Sequence, residues 1–275
     1  MDDGKRFDLL YRRWVYLQSV VLLTALVLAS PLLPPSPAAV SLVLALWGAV
    51  AMGVLFVMGV GASPGGVGPI SVNIVTAVRS MGAVALLIFV GLHGGRGGSL
   101  DSFGIGSFLP EARLGWVIFT ALALVEITDN IDGRLARRLA HRAPPSRFGA
   151  IWDMENDSFF ALALSLAAWQ IVGIPVVVLL IGAMRYFYFI LVRAEGDPPG
   201  DNPAYKLFAK STTATLVIAL IVIYLPFLPH GIRGAMVYGA LGLQVISFSW
   251  DLVLRARAGS VINPDALTLF GRRRS

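Results

Sequence analysis

Apolar residues in this chain come in long, nearly unbroken blocks rather than in the two-residue alternation of a half-buried strand, and polar residues gather between them. A helix needs about 20 mostly apolar residues to span a bilayer. Eight blocks have about that length, over roughly 14–33, 38–60, 72–92, 112–133, 148–172, 175–193, 208–228 and 234–254. The gaps hold residues that end helices: Pro31, Pro34, Pro35 and Pro37 after the first block, glycines between 61 and 68 after the second, and the Gly-rich run 94–106 after the third. Gly173 and Pro175 predict a tight turn between the fifth and sixth. The pattern predicts an all-α integral membrane protein. Lys5, Arg6, Arg12 and Arg13 precede the first block as in a signal peptide. That block is longer than a usual h-region and has prolines where a cleavage site would follow, so it is read as a retained span.

Composition supports this reading. Hydrophobic residues make up 56% of the 275, charged residues only 14%, and mean hydropathy is +0.75. A soluble domain carries about 25% charged residues. With no cysteine, the chain has neither disulfides nor thiolate metal sites. The net charge of +6 would suggest nucleic acid in a soluble protein, but no loop combines basic and aromatic residues as a base-stacking platform. Nucleic acid is therefore set aside in favour of anionic lipid.

The basic residues also set an orientation. Eight spans place both termini on one side, where seventeen Lys and Arg fall, while Arg96, Arg113 and Arg233 fall on the other. By the positive-inside rule both termini and the loops 61–71, 134–147 and 194–207 are cytoplasmic, and Arg272, Arg273 and Arg274 are simplest as a contact for anionic lipid.

Against this frame the acidic residues are unusual. Six of 16 lie between 126 and 157: Glu126, Asp129, Asp132, Asp153, Glu155 and Asp157. A charge within a spanning helix costs a few kcal/mol or more unless it is paired or used. Asp129 and Asp132 are three apart and Asp153 and Asp157 four apart, so each pair shares one helical face. If the fourth and fifth spans form a hairpin, four carboxylates converge at its open end, and their repulsion calls for cations. Oxygen ligands without His or Cys suit Mg²⁺ or Mn²⁺ rather than zinc. Two such ions are suited to clamping a phosphoryl group. Gly133 and Gly149 leave room for close approach of a ligand or a neighbouring backbone, with helix packing as the plainer alternative. Glu126, one turn deeper than Asp129, is an outer neighbour of the site or a protonated or paired carboxyl. Glu155 points away from the Asp153–Asp157 face and is expected to pair with an Arg. His93, His141 and His230 have no ligand spacing.

The stretch Asp129-Asn-Ile-Asp132-Gly133-Arg-Leu-Ala136-Arg137, followed by Gly149-Ala-Ile-Trp-Asp153-Met-Glu-Asn-Asp157, resembles the signature of the CDP-alcohol phosphatidyltransferase family, D-x-x-D-G-x-x-A-R then G-x-x-x-D-x-x-x-D. The spacer, 138–148, is longer than the family's usual one and contains Pro144 and Pro145. Asn73, Thr76 and Arg79 are similar to an N-x-x-T-x-x-R on the family's first core helix, with Val72 where a Pro often stands. Arg185 and Arg193 are similar to an arginine pair on the fourth core helix, and Lys210 and Thr213 to a K-x-x-T opening the fifth. The resemblance divides the chain into 1–64, an N-terminal segment with two accessory spans; 65–258, a six-helix catalytic core; and 259–275, a basic tail.

The resemblance implies an enzyme that moves a substituted phosphate from a CDP-linked donor to an alcohol and releases CMP. It implies that Asp129, Asp132, Asp153 and Asp157 bind two Mg²⁺ or Mn²⁺ ions, with Asp157 also the general base on the acceptor hydroxyl. Asn73, Asp129, Gly133, Ala136, Arg137 and Gly149 would lie along the CDP donor. It also implies a homodimer. The expected donor is CDP-diacylglycerol and the expected location the bacterial cytoplasmic membrane. Arg185 lies about ten residues into its span, near mid-membrane at about 1.5 Å per residue. That is too deep for snorkelling and suggests a polar cavity for an anionic group. With Arg193 and Lys210 it would hold the phosphate of an acceptor such as glycerol 3-phosphate or an inositol phosphate. For Arg193 and Lys210 the positive-inside bias is the plainer reading.

Two other functions compete. A soluble CDP-alcohol could donate its headgroup to a lipid alcohol, or the acids could be the ion site of a cation transporter. Against the transporter, all four aspartates sit at one membrane face and no acid continues a path, Asp251 offering no relay. A non-catalytic scaffold would leave the eight matched positions unexplained.

Overall fold

The structure is a computed structural model that describes residues 3–28, 37–62, 70–93, 111–139, 147–191 and 203–257. Among these it is 93% helical with no strand. The helices are α1 (Asp3–Leu28), α2 (Pro37–Ala62), α3 (Ile70–His93), α4 (Glu111–Leu139), α5 (Arg147–Gln170), α6 (Leu179–Leu191), α7 (Pro203–Val222) and α8 (His230–Arg257). Each predicted block has its helix. The turn after α5 forms where Gly173 adopts φ +74°, a conformation that suits glycine, and Pro175 leads into a short 3-10 turn, Val176–Val178.

Three stretches of the described residues are long and apolar enough to cross a membrane: Ala39–Val60, Pro203–Val222 and His230–Arg257. Shorter apolar helical stretches lie at Thr76–Leu92 and Val176–Tyr188. Helix α5 falls short for a different reason, since it carries Asp153, Glu155 and Asp157 in its first half. Large apolar side chains such as Leu46, Val57, Ile218 and Ile246 lie on the outside, where lipid replaces water as solvent. The interior is correspondingly polar in places, with Arg79, Glu155, Asn156, Gln170, Asp251 and Arg255 all buried.

Helix α5 occupies the centre, packed against α2, α3, α6 and α7. Its second half is buried nearly all round, from Phe159 and Phe160 through Ala168, with only Ala161 partly exposed. Helix α2 runs antiparallel to it, and small residues allow the close approach. A Cβ on Gly48 would fall within the Phe159 ring, and one on Gly59 would strike Phe148. Higher on the same pair, the Ser41 hydroxyl donates to Gln170 Oε1 at 3.0 Å. Where α6 meets α5, a Cβ on Gly182 would meet the Leu162 backbone.

The ends of α6, α7 and α8 are tied by a buried ion pair. Arg255 Nε donates to Asp251 Oδ2 at 2.8 Å and approaches the Tyr188 hydroxyl at 2.8 Å, while Tyr205 donates to Asp251 Oδ1 at 3.0 Å. Asp251 is thus a structural anchor.

Candidate active site

Helices α3, α4 and α5 carry the residues expected to bind the metals and the donor. Helix α3 packs against both of the others, so it bridges the two acidic helices. Thr76 and Arg79 of α3 are buried, and a buried arginine requires a counter-charge. Arg79 Nη1 donates to Asp157 Oδ1 on α5, and its Nη2 lies 3.8 Å from Glu126 Oε2 on α4. The Phe160 ring, centred 6.0 Å from the guanidinium carbon, flanks the same cation. One side chain thus links the acidic segments of α4 and α5. It also gives Glu126 the paired role that was one of its expected alternatives.

Along α5, Asp153 and Asp157 are one turn apart on a face that is only partly covered; the Asp157 side chain is 42% exposed. Gly149, a turn earlier, is half-buried. Asp129, Asp132, Gly133, Ala136 and Arg137 belong to α4, and Asn73 to α3, but their side chains lie outside the described residues. Arg193 lies outside them altogether. Lys210 is exposed on α7. Among residues whose side chains are described, no three acids or histidines form a metal-holding group. Two of the four expected ligands, Asp153 and Asp157, are placed by the described structure. Their chemistry, carboxylate oxygen without nitrogen or sulfur, fits a hard divalent cation.

The opposite face of α5 holds a second charged centre. Glu155, 1% exposed, receives Arg185 Nη2 at 2.7 Å and the Tyr11 hydroxyl at 2.7 Å on Oε1, and Gln18 Nε2 at 3.2 Å on Oε2. This is the arginine pairing expected for Glu155, and the partner is the arginine expected at the acceptor. Arg185 Nη1 also donates to the Met154 carbonyl and to Ser158 Oγ. Burial, reinforced by the Glu155 charge, pushes the Tyr11 phenol well above its ordinary range, so it remains a donor. Neither Tyr11 nor Gln18 belongs to a motif in the sequence. Their seven-residue spacing, which sets two polar groups on one face of α1, was the available signal.

The fold and these charged helix faces define an all-helical integral membrane protein with charged centres held between its helices. The family model for CDP-alcohol phosphatidyltransferase matches residues 69–246, and the chain belongs to that family. It is therefore a transferase of phosphatidyl groups from a CDP-alcohol, in phospholipid biosynthesis. No curated protein and no solved structure matches the chain. The matched region begins after α1 and α2, so Tyr11 and Gln18 lie outside it.

Proposed function

We propose that the protein transfers the phosphatidyl group of CDP-diacylglycerol to the hydroxyl of a small phosphorylated alcohol such as glycerol 3-phosphate or an inositol phosphate, releasing CMP. The observation that carries this reading is Asp157, half exposed on the Asp153 face of α5 and fixed by a buried arginine that also reaches α4. In the reaction the acceptor oxygen forms a bond to the phosphatidyl phosphorus, and the bond from that phosphorus to the CMP oxygen breaks. CMP leaves with the bonding electrons, and the acceptor proton passes to Asp157. Arg79 orients the Asp157 carboxylate for that transfer.

Asp129, Asp132, Asp153 and Asp157 would hold two Mg²⁺ or Mn²⁺ ions, whose positive charge, when bound, polarises the phosphoryl group and stabilises the departing phosphate. Asn73, Asp129, Gly133, Ala136, Arg137 and Gly149 would line the CDP moiety, and Arg185, Arg193 and Lys210 the acceptor phosphate. The charge bias supports a cytoplasmic-facing site, and the reading includes a bacterial cytoplasmic membrane as its location. A homodimer rests on the family alone.

The test is CMP release by purified protein with CDP-diacylglycerol and Mg²⁺ or Mn²⁺ across a panel of acceptors. Release that requires one phosphorylated acceptor supports the reading. Release only when a soluble CDP-alcohol meets a lipid alcohol would reverse donor and acceptor. Cation flux without CMP release would make the protein a transporter.

A further inference from the structure

We propose that α1, outside the family-matched core, is a positioning element of the acceptor site: Tyr11 and Gln18 fix Glu155, and Glu155 in turn fixes Arg185. The proposal rests on the reading of Arg185 as an acceptor-binding residue.

Glu155 lies two residues from both Asp153 and Asp157, which at 100° per residue turns it to the far side of α5. There it is 1% exposed, so its charge depends entirely on protein donors. Among the described residues two of its three donors come from α1, and each carboxylate oxygen receives one of them. Arg185 shares Oε1 with Tyr11. With Tyr11 and Gln18 removed, the carboxylate would be free to turn about its last bond, taking its oxygen away from Arg185. The guanidinium is not distant from the chemistry. Its Nη1 rests on the Met154 carbonyl and on Ser158 Oγ, the residues that follow Asp153 and Asp157 in the chain. Ser158 Oγ itself donates to the Met154 carbonyl at 2.9 Å, closing a small network against that turn of α5. Arg185 keeps 15% of its side chain exposed where Glu155 keeps almost none. The carboxylate is thus enclosed as a fixture, while the Arg185 side chain is the less enclosed partner of the pair.

The experiment uses the full chain in detergent or nanodiscs. CMP release is measured against acceptor concentration at saturating CDP-diacylglycerol, and then against donor at saturating acceptor. The variants are Tyr11→Phe, Gln18→Leu, Arg185→Ala, and each α1 change combined with Arg185→Ala. Thermal midpoints are recorded beside the kinetics. Loss of one donor to a charged group is expected to raise the acceptor KM about three- to tenfold, with smaller changes in kcat and donor KM. Neither α1 substitution should raise the acceptor KM further once Arg185 is Ala. If Tyr11→Phe and Gln18→Leu lower only the thermal midpoint, or shift both KM values and kcat together, α1 is a simple anchor and the proposal is overturned. If Arg185→Ala leaves the acceptor KM unchanged, the acceptor reading of Arg185 falls first, and the role given to α1 falls with it. Tyr11→Phe and Gln18→Leu are separate changes of modest size, so one that failed to fold would leave the other to decide.

Discussion

Two arginines grip opposite faces of α5, and the comparison between them separates chemistry from construction. Arg79 comes from α3 and meets Asp157, which stays 42% exposed; Arg185 comes from α6 and meets Glu155, which is 1% exposed. The two carboxylates are two residues apart on one helix. Glu155 is enclosed by three donors, and all its hydrogen-bonding capacity is directed into the protein. Asp157 has its arginine on one side and an open approach on the other. A buried, multiply satisfied carboxylate is suited to hold other groups in place. A half-exposed one with a fixed orientation is suited to meet a substrate.

The sharpest way to break this contrast is to remove the charge at Asp157. Asp157→Asn is expected to lower CMP release by about 10³-fold, since general acid–base groups contribute about 10²–10⁴. The Asn oxygen still accepts from Arg79 and Glu126 remains as its counter-charge, so the fold should persist, which thermal unfolding of the variant would check. If Asp157 were instead a structural carboxylate, stability would fall and turnover would follow it only in proportion to the folded fraction.

Arg79→Lys comes next. It keeps the charge but loses the fork that reaches α4 and α5 together. An expected fall in kcat of about 30-fold, roughly 2 kcal/mol of barrier, should come with little change in acceptor KM. Single-turnover kinetics would measure it. At Glu155 the order of effects should invert. Glu155→Ala leaves the Arg185 guanidinium without its buried counter-charge and is expected to cost about 3 kcal/mol of stability, seen as a lower thermal midpoint, with kcat falling less than for Arg79→Lys. The smallest effect tests the packing around both centres. Gly182→Ala on α6 must displace the Leu162 backbone, and about 1–3 kcal/mol of overpacking is expected.

Much of this was legible in the sequence, for identifiable reasons. Hydropathy locates every helix because burial in lipid imposes a long apolar run. It misplaces some helix ends, because hydropathy marks the bilayer and not the helix. Helix α4 continues past the predicted 133 to Leu139 through Arg-Leu-Ala-Arg-Arg-Leu, a run of strong helix formers. Helix α8 likewise begins at His230 and ends at Arg257, several residues beyond its apolar block at either end. The 100° rotation per residue was enough to separate Glu155 from its neighbours and to foresee an arginine partner. It could not name which arginine, since the approach of α6 to α5 is a tertiary fact with no local pattern. Arg79 was visible as part of N-x-x-T-x-x-R, yet its link to Asp157 spans 78 residues and needed the packing of α3. Tyr11 and Gln18 were hardest to see, because polar residues in an otherwise accessory helix carry no motif and acquire meaning only beside Glu155.

The notches of α2 have a consequence for the active site. Gly48 and Gly59 are eleven residues apart, and so are the rings they receive, Phe159 and Phe148. Eleven residues are about three turns, so the two contacts lie on one side of each helix and work as a pair of gauge pins. Asp153 and Asp157 lie on the length of α5 between those pins. Sliding α5 along its axis, or rotating it, would require both rings to leave their notches at once. The position of the aspartates is therefore measured off against a helix that bears no acidic residue of its own. A single residue inserted between Gly48 and Gly59 would throw that measure out, and the error would be felt at Asp153 and Asp157.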